Sequence, residues 1–469
     1  MNEIVQKVSL SQTSGSAMFQ QTRASHLLLT HPSGKRHLPP PRGPYSVGFA
    51  DVMTEGNPKN GTFFRLYYPT NERCMDEHTR WPLWMFEDKY ISGTLTFLKA
   101  VAYRWPSWAP HSEYLLQDTK NLFIKNQPRF GFKPVFKRLI GNVFVPIIEN
   151  ASIKTNEQNQ KWPLVVFSHG IGCCRFMYSQ VCYDMASYGF IVVATEHRDG
   201  SGCMSCFYES SGNARNSSIK WINHQRCRKD ENEYAFRNTQ VHHRANEVSR
   251  ALDVMLDLNE GKEIHNIFRK QTDPSFSELT ECFVNLSQFK DVMDITRPVI
   301  AGHSFGGATT VLALIKDERF KVGVVLDAWL FPLRDENISV KEETPILFIN
   351  TESFLNYKNL IKMSTLERQT RELTEIVGER KFLFIKGSVH QNQLDLPFVL
   401  PNKRLKKLLG SYSKTCPEQV MNINNKLIVQ FLYNKLGMSL SPALNEEVAK
   451  YSHLLHDGLG LSDKTPTTE

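Results

Sequence analysis

A serine enclosed by two glycines is the most chemically suggestive feature of this sequence. Residues 302–306 read Gly-His-Ser-Phe-Gly, the G-x-S-x-G pattern that places a serine on a tight turn between a strand and a helix. An apolar run over residues 298–301 precedes the pentapeptide, and a helix-compatible stretch over residues 308–316 follows it. In this context Ser304 is predicted to be a nucleophile, whereas the bare pattern elsewhere would indicate an ordinary glycine turn.

A serine hydroxyl needs a base that takes its proton and an acid that orients the base. In folds with this turn the chain order is serine, acid, histidine. His390 follows the apolar run 382–385 and is the candidate base. Asp327 and Glu352 each follow an apolar run between Ser304 and His390, so both qualify as the acid. We favour Asp327, but these residues alone leave both acids open.

The tetrahedral intermediate of acyl transfer also needs N–H donors for its oxyanion. One is expected from the residue after the serine, which is Phe305, and one from a loop that follows an early strand. The sequence His-Gly-Ile-Gly over residues 169–172 comes directly after the apolar run 164–167. We therefore predict the backbone N–H of Ile171 as the second donor.

The elements that must position these residues are short apolar runs separated by longer helical stretches. Runs that are apolar on both faces fit the central strands of a parallel sheet covered by helices. Residues 233–258 carry apolar side chains at helical spacing and predict a crossover helix, whereas the polar segment 200–230 predicts an excursion or lid. The expected fold class is α/β, an α/β-hydrolase fold with a mostly parallel central sheet and helices on both faces. The predicted strands cover residues 62–68, 164–167, 190–195, 298–301, 322–326, 346–349 and 382–385.

Length and composition predict one large domain with two flanking segments. With 469 residues, 41% hydrophobic and 22% charged, the sequence is typical of a globular protein. The expected organisation is a flexible N-terminal tail over residues 1–45, a catalytic domain over residues 46–440 and a C-terminal extension over residues 441–469. No apolar run reaches the roughly 18 residues of a membrane-spanning helix.

Several features favour a cytoplasmic location with peripheral membrane contact. The first residues lack the apolar core of a secretory signal, and Asn2 stands where a myristoylated chain has glycine. Nine cysteines at irregular spacing do not suggest a disulfide framework, so we expect reduced thiols.

Longer blocks around the candidate residues resemble the platelet-activating factor acetylhydrolases. The blocks, which lie within about residues 45–440, are PLVVFSHGIGCCRFMYS, ASYGFIVVATEHRDGSG, GHSFGGATT, LDAWLFPL, FINTESF and GSVHQN. Members of that family are calcium-independent phospholipases that remove short or oxidised sn-2 acyl chains. The resemblance implies a serine esterase that converts platelet-activating factor and related phospholipids into a lyso-phospholipid and a short carboxylic acid, with no metal or other cofactor. Residue by residue, it assigns the nucleophile to Ser304, the acid to Asp327, the base to His390 and the oxyanion donors to Phe305 and Ile171.

A phospholipid substrate suggests a surface that meets a bilayer. Apolar residues between positions 132 and 144 recur at helical spacing beside lysines and arginine, and the resemblance aligns them with the interfacial helix of the family. A core helix would show the same spacing. The basic stretch 403–409 (KRLKKLL) would complete a cationic rim, in keeping with a net charge of +8. The predicted membrane-facing residues are Phe132, Val135, Phe136, Leu139, Ile140 and Val143.

Two other classes of function compete with the esterase. A catalytically silent hydrolase fold that binds lipid or protein is disfavoured by the complete set of serine, acid and histidine. Zinc or nucleic-acid binding would rest on the basic charge and on Cys203 and Cys206, a single CxxC without a second pair. We expect a phospholipid substrate, no nucleic acid and no metal.

Overall fold

A large central sheet organises the chain. The computed structural model describes residues 36–55, 57–73, 81–103, 134, 137, 140, 142–155, 161–208, 219–268, 284–354, 362–366, 379–439 and 441–458. The described strands are β1 Arg36–His37, β2 Ser46–Thr54, β3 Thr62–Thr70, β4 Val143–Phe144, β5 Ile148–Glu149, β6 Trp162–Ser168, β7 Ile191–Thr195, β8 Met204–Tyr208, β9 Ile219–Asn223, β10 Met293–His303, β11 Val322–Leu326, β12 Ile346–Thr351, β13 Arg380–Ile385 and β14 Leu455–Asp457. Ten of these strands form one sheet in the order β14-β13-β12-β11-β10-β6-β7-β3-β2-β5.

The centre of the sheet is parallel and buried on both faces, as the apolar runs predict. From β7 through β6, β10, β11 and β12 to β13 every neighbouring pair is parallel. Every residue of β6, β7, β11 and β12 is buried. Antiparallel strands flank this centre, since β3 pairs with β7 and β2, and β14 pairs with β13.

Helices cover both faces of the sheet. The helices whose bounds the structure describes are α1 Asp88–Tyr103, α2 Ser179–Ser187, α3 Glu233–Glu260, α4 Phe305–Lys316, α5 Leu396–Val399, α6 Lys403–Leu408, α7 Pro417–Leu436 and α8 Pro442–Ala449. Side chains alternate along β6, so that Val165 and Phe167 face a core with the helices α2 and α7. Leu164 and Val166 face the opposite core, with α3 and α4. The α/β class is therefore confirmed.

Both predicted boundaries of the catalytic domain require correction. Residues 36–45 belong to the fold, because β1 pairs with β4 and the side chain of Leu38 is fully buried in the core. At the other end β14 adds a strand to the sheet beside β13, so residues 441–458 also belong to the fold. Residues 1–35 and 459–469 of the predicted tail and extension lie outside the described part of the chain.

The segment 200–230 holds more regular structure than an excursion. Strands β8 and β9 form an antiparallel pair that packs against α1, and four of the five residues of β8 are buried. The sequence MSCFY has a single polar residue and no alternation of apolar and polar side chains, so it gives only a weak strand signal.

The predicted membrane-facing helix is wrong at its C-terminal end. Val143 lies in the strand β4 rather than in a helix, and Ile140 and Val143 are both core residues with 1% exposure. Helical spacing of apolar residues is the same for a helix that faces lipid and one that faces a core, which explains the error. Phe132, Val135, Phe136 and Leu139 lie outside the described residues. None of the described helices has the length and apolar character needed to span a bilayer.

Candidate active site

Ser304 occupies a strained turn between β10 and α4. Its φ of 59° and ψ of −115° lie where few side-chain-bearing residues are found. The turn is fixed by a 2.9 Å hydrogen bond from the Ser304 N–H to the carbonyl oxygen of Leu326. A Cβ on Gly306 would lie 2.0 Å from the carbonyl oxygen of Ser168, and one on Gly302 would lie 2.3 Å from that of Gly306. The pattern therefore needs both glycines because backbone packs directly against them.

Asp327 and His390 meet at the carboxyl ends of β11 and β13. The Nδ1 atom of His390 lies 2.9 Å from Oδ2 of Asp327. Asp327 is fully buried, and Thr351 donates to it twice, from its N–H at 2.6 Å and from its Oγ1 at 2.5 Å. These bonds orient the carboxylate so that it can accept a hydrogen bond from an N–H on Nδ1 of His390. The tautomer with its proton on Nδ1 leaves Nε2 free to act as a base.

Glu352, the competing acid, has a different position. Its carboxylate accepts a hydrogen bond from the N–H of Gly387, and its own N–H donates to Ser388 Oγ at 3.2 Å. Both bonds close the turn that precedes His390. Of the two acids that the sequence leaves open, Asp327 is the one whose carboxylate contacts His390 in the described structure.

The imidazole of His390 is enclosed between two rings. Phe354 stacks on one face at a centroid distance of 4.0 Å, and His303 lies against the ring at 4.4 Å. Burial and then the neighbouring His390 hold the pKa of His303 well below its ordinary value, so His303 is neutral. Among the described contacts no hydrogen bond joins Ser304 Oγ to His390. Catalytic hydrogen bonds are often long in structures without substrate, so this geometry is compatible with His390 as the base.

The predicted oxyanion loop lies beside the nucleophile. A Cβ on Gly170 would lie 3.3 Å from Cβ of Ser304. The loop is fixed on both sides of Ile171, because the Gly170 N–H donates to Tyr178 Oη at 3.1 Å and the Gly172 N–H to the Ser201 carbonyl at 2.8 Å.

The two predicted oxyanion donors are available. Within the described part of the chain, the N–H groups of Ile171 and Phe305 bond to no protein acceptor. Free donors at these two positions are what an oxyanion hole requires.

A second serine, histidine and acid chain lies beneath the loop. Ser168 Oγ is 2.7 Å from His197 Nε2, and His197 Nδ1 is 2.8 Å from Glu247 Oε2. All three residues are at most 1% exposed, so no ester reaches this serine. Although burial opposes ionisation, the hydrogen bond from His197 and the nearby imidazole of His243 hold the pKa of Glu247 below its usual range. This hydrogen-bonded series ties the ends of β6 and β7 to α3. The sequence does not indicate it, because Glu247 stands among polar residues of the helix.

Asp395 anchors the segment that follows His390. Its carboxylate accepts hydrogen bonds from the N–H groups of Ser179 and Gln180 at the start of α2 and from Trp84 Nε1, at 2.8, 3.1 and 2.9 Å. Burial raises the pKa of Asp395 to about 7. In the sequence Asp395 stands in an apolar stretch, and nothing there indicates which groups donate hydrogen bonds to it.

One group of side chains in the described residues has ligand atoms close enough to hold a metal ion. It comprises His303, Asp327 and His390, whose ligand atoms lie within 4.8 Å of one another. Asp327 accepts from Thr351 and His390, and His303 Nδ1 lies 2.8 Å from Tyr178 Oη. The buried His303 Nε2 has no hydrogen-bond partner among the described residues. Cys203 and Cys206 belong to no metal-binding group among the described residues, and both are buried free thiols.

Comparisons with known proteins place this geometry in context. The profile of the family described as platelet-activating factor acetylhydrolase, isoform II, matches residues 30–106 and 102–448. The platelet-activating factor acetylhydrolase of Bos taurus is 34% identical over 405 residues, which cover 86% of this chain and 78% of the relative. That of Gallus gallus is 32% identical over 430 residues, covering 90% and 87%. A ferulic acid esterase from Streptomyces cinnamoneus shares the fold with a TM-score of 0.53 at 16% identity, covering 89% of this chain and 97% of the esterase.

Proposed function

Because the chain belongs to the platelet-activating factor acetylhydrolase family, isoform II, we propose that Ser304, His390 and Asp327 perform the ester hydrolysis of that family. The chain is a serine carboxylic ester hydrolase. It releases the sn-2 acetyl or short or oxidised acyl group of platelet-activating factor and related phospholipids, and leaves a lyso-phospholipid. The 2.9 Å contact between His390 and Asp327, next to the strained turn at Ser304, is the observation that supports these roles best.

In the acylation step Ser304 Oγ attacks the carbonyl carbon of the sn-2 ester while His390 Nε2 takes the hydroxyl proton. The oxygen that becomes negative is bound by the N–H groups of Phe305 and Ile171. When the intermediate collapses, the bond to the glycerol oxygen breaks and His390 gives its proton to that oxygen. The lyso-phospholipid leaves and an acyl-serine remains.

In the deacylation step water replaces the alcohol. His390 takes a proton from the water, whose oxygen attacks the acyl carbon, and the proton then returns to Ser304 Oγ. Asp327 stabilises the imidazolium that forms in both steps. Its two hydrogen bonds from Thr351 keep the carboxylate fixed through both proton transfers.

We also propose that this reaction needs no metal ion. The carboxylate of Asp327 is occupied by Thr351 and His390, so a cation there would have to displace the contact that orients the base. Activity on a short-chain phospholipid should persist in excess chelator. Loss of activity that added calcium restores would contradict this proposal.

The decisive experiment replaces the nucleophile. S304A should lose hydrolysis of platelet-activating factor and labelling by a fluorophosphonate probe, while its thermal unfolding stays unchanged. A silent hydrolase fold that only binds lipid predicts instead that the wild-type chain is not labelled. Hydrolysis retained by S304A would refute the assignment of the nucleophile.

We propose peripheral membrane contact through the basic helix α6 rather than through Ile140 and Val143. Lys403, Arg404 and Lys407 are exposed on α6, and three leucines of the stretch 403–409 are partly exposed among them. Exposed cations next to partly exposed leucines suit the boundary between anionic headgroups and acyl chains.

Vesicle sedimentation tests this surface. The triple variant K403E/R404E/K407E should bind vesicles rich in phosphatidylserine more weakly than the wild type, and its hydrolysis of a soluble ester should be unchanged. A matched reversal of three exposed lysines outside α6, K161E/K321E/K341E, should bind vesicles as the wild type does. Equal loss in both variants would indicate a response to net charge rather than to α6.

A cytoplasmic location is our proposal for where the enzyme acts. Seven cysteines in the described residues are free thiols, which is usual in a reducing compartment. Fractionation of cells that express the full chain should recover it in the cytosol and on membranes in a salt-sensitive manner. Recovery only from the medium would overturn the proposal.

A further inference from the structure

Arg244 lies directly beneath the oxyanion loop. It projects from α3 and its side chain is fully buried. Nη1 donates to the carbonyl oxygen of His169 at 2.5 Å, and Nε lies 2.8 Å from Ser201 Oγ and 3.2 Å from Asp199 Oδ2. The guanidinium thus binds the first residue of the loop and is itself oriented by a carboxylate and a hydroxyl.

The same guanidinium touches the nucleophile turn. Its Cζ lies 4.4 Å from the ring centroid of Phe305, the residue whose N–H faces the proposed oxyanion. A guanidinium over an aromatic face is a favourable contact, and it strengthens when water is excluded. One buried cation therefore packs against both segments that carry an oxyanion donor.

Ser201 completes the enclosure of the loop. Its carbonyl accepts from the Gly172 N–H at 2.8 Å, and its hydroxyl faces Nε of Arg244. The loop is thus bound before Ile171, at the His169 carbonyl, and after it, at the Gly172 N–H. With both ends bound, the N–H of Ile171 has little freedom to turn away from Ser304.

We propose that Arg244 is the positioning residue of the oxyanion hole: it sets the direction of the Ile171 N–H through the His169 carbonyl and holds Phe305 in place through its ring. This inference rests on the oxyanion roles proposed above for Phe305 and Ile171. Donors that are fixed before the reaction stabilise the developing charge without reorganisation, and that contribution appears in kcat rather than in KM.

Arg244 also places a positive charge beside the oxyanion loop. Burial holds the pKa of His169 well below its ordinary value, and the nearby charge of Arg244 lowers this pKa further. Its Nη2 atom has no hydrogen-bond partner among the described residues, and Asp199 is its single ion-pair partner there. A guanidinium stays protonated even when buried. Arg244 thus places a buried, charged guanidinium with one carboxylate partner beside the loop that carries the Ile171 donor.

Three variants test the proposal. R244M removes the charge and the hydrogen bonds, R244K keeps the charge but not the planar set of donors, and R250M removes another arginine of α3 whose Nε contacts the Gly61 carbonyl. With a short-acyl phospholipid, R244M should lose about 10²-fold in kcat, with KM changed by less than about threefold. R244K should lose less than R244M, and R250M should match the wild type.

Binding of a trifluoromethyl ketone, which forms a tetrahedral adduct on the serine, separates positioning from general destabilisation. Its inhibition constant should rise in R244M and R244K in proportion to the fall in kcat, because the adduct needs the same two donors. A purely structural role would lower the melting temperature and leave kcat and the inhibition constant of the folded fraction unchanged. If R244M does not fold, R244K gives the result by the same two measurements.

The result also separates this inference from the proposed function. Hydrolysis retained by S304A would remove the catalytic roles themselves, whatever Arg244 does. If S304A is inactive but R244K and folded R244M keep the wild-type kcat and inhibition constant, then Arg244 does not position the oxyanion hole.

Discussion

Phe354 lies flat against the ring of His390, with centroids 4.0 Å apart and ring planes 12° apart. His303 lies 4.4 Å from the same ring, at an interplanar angle of 32°. The imidazole is held in plane by these two rings and along its edge by Asp327. An imidazolium formed there meets an aromatic face, which stabilises a cation by about 0.5–1 kcal/mol at modest exposure.

Replacement of Phe354 by leucine should lower kcat/KM by about two- to fivefold, since the imidazolium loses that contact. Steady-state rates on a soluble short-chain ester measure this loss. A kcat/KM equal to that of the wild type would show that the ring does not favour the cation.

Replacement of the acid should distinguish Asp327 from Glu352. D327N leaves an amide beside His390 that favours the wrong tautomer, so kcat should fall by about 10³- to 10⁴-fold. E352Q should keep kcat within about threefold, because Glu352 contacts the Gly387 N–H rather than His390. Burst kinetics with a chromogenic ester give both values. A larger loss in E352Q than in D327N would exchange the two roles.

A buried ion pair should make stability fall in acid. Asp51 pairs with Arg65 at 2.7 Å and with Arg175 at 2.9 Å. Although burial opposes ionisation, the two arginines hold the pKa of Asp51 far below its ordinary value. The ionised carboxylate therefore stabilises the fold above about pH 4, and this contribution is lost as the pH falls further.

Urea unfolding of D51N tests this pair. The variant should lose about 3–5 kcal/mol at pH 7, because two buried guanidinium groups lose their partner. The difference from the wild type should shrink between pH 5 and pH 3. D291N, which removes an exposed partner of Lys161, should unfold as the wild type does. A D51N deficit that does not change with pH would contradict the linkage.

Asp395 should act on stability in the opposite direction. Its pKa is raised by burial to about 7 in the folded chain, above the value of an exposed aspartate. Its contribution is therefore greatest below about pH 4 and is lost as the pH rises through 7. The difference in unfolding free energy between the wild type and D395N should fall over this window, by at most about 1.4 kcal/mol per pH unit. Denaturant unfolding across this pH range measures the difference. A difference that increases with pH would show that the hydrogen bonds to α2 outweigh burial.

The parallel sheet was predictable because its strands are apolar on both faces. Residues 322–326 form β11 with the predicted bounds, and every residue of that strand is buried. The prediction for β10 covered only residues 298–301, since the strand starts at the buried Met293 but passes through the exposed Thr296 and Arg297 before it reaches the apolar run. A hydrophobic pattern detects the buried part of a strand and not the part that continues into solvent.

The positions of the proposed catalytic residues at strand ends were predictable, although Glu352 remained an alternative acid, and the side chains that support them were not. Ser304, Asp327 and His390 follow apolar runs, and the ends of parallel strands meet at one edge of a sheet. Arg244 and Glu247 are fully buried at positions of α3 where the sequence suggests a solvent-facing stripe. Their partners come from the loops after β6 and β7, and helical periodicity carries no information about which loops cover a helix face.

Strand β14 has a consequence for the order in which the molecule is made. It pairs with β13, the strand that leads into the His390 loop, but it comes far later in the chain. At a synthesis rate of roughly 5–20 residues per second, the edge of β13 stays unpaired for several seconds after it leaves the ribosome. An unpaired edge is a template for pairing with another chain. The yield of folded protein should therefore depend on chaperones that cover this edge until β14 has been synthesised and pairs with β13.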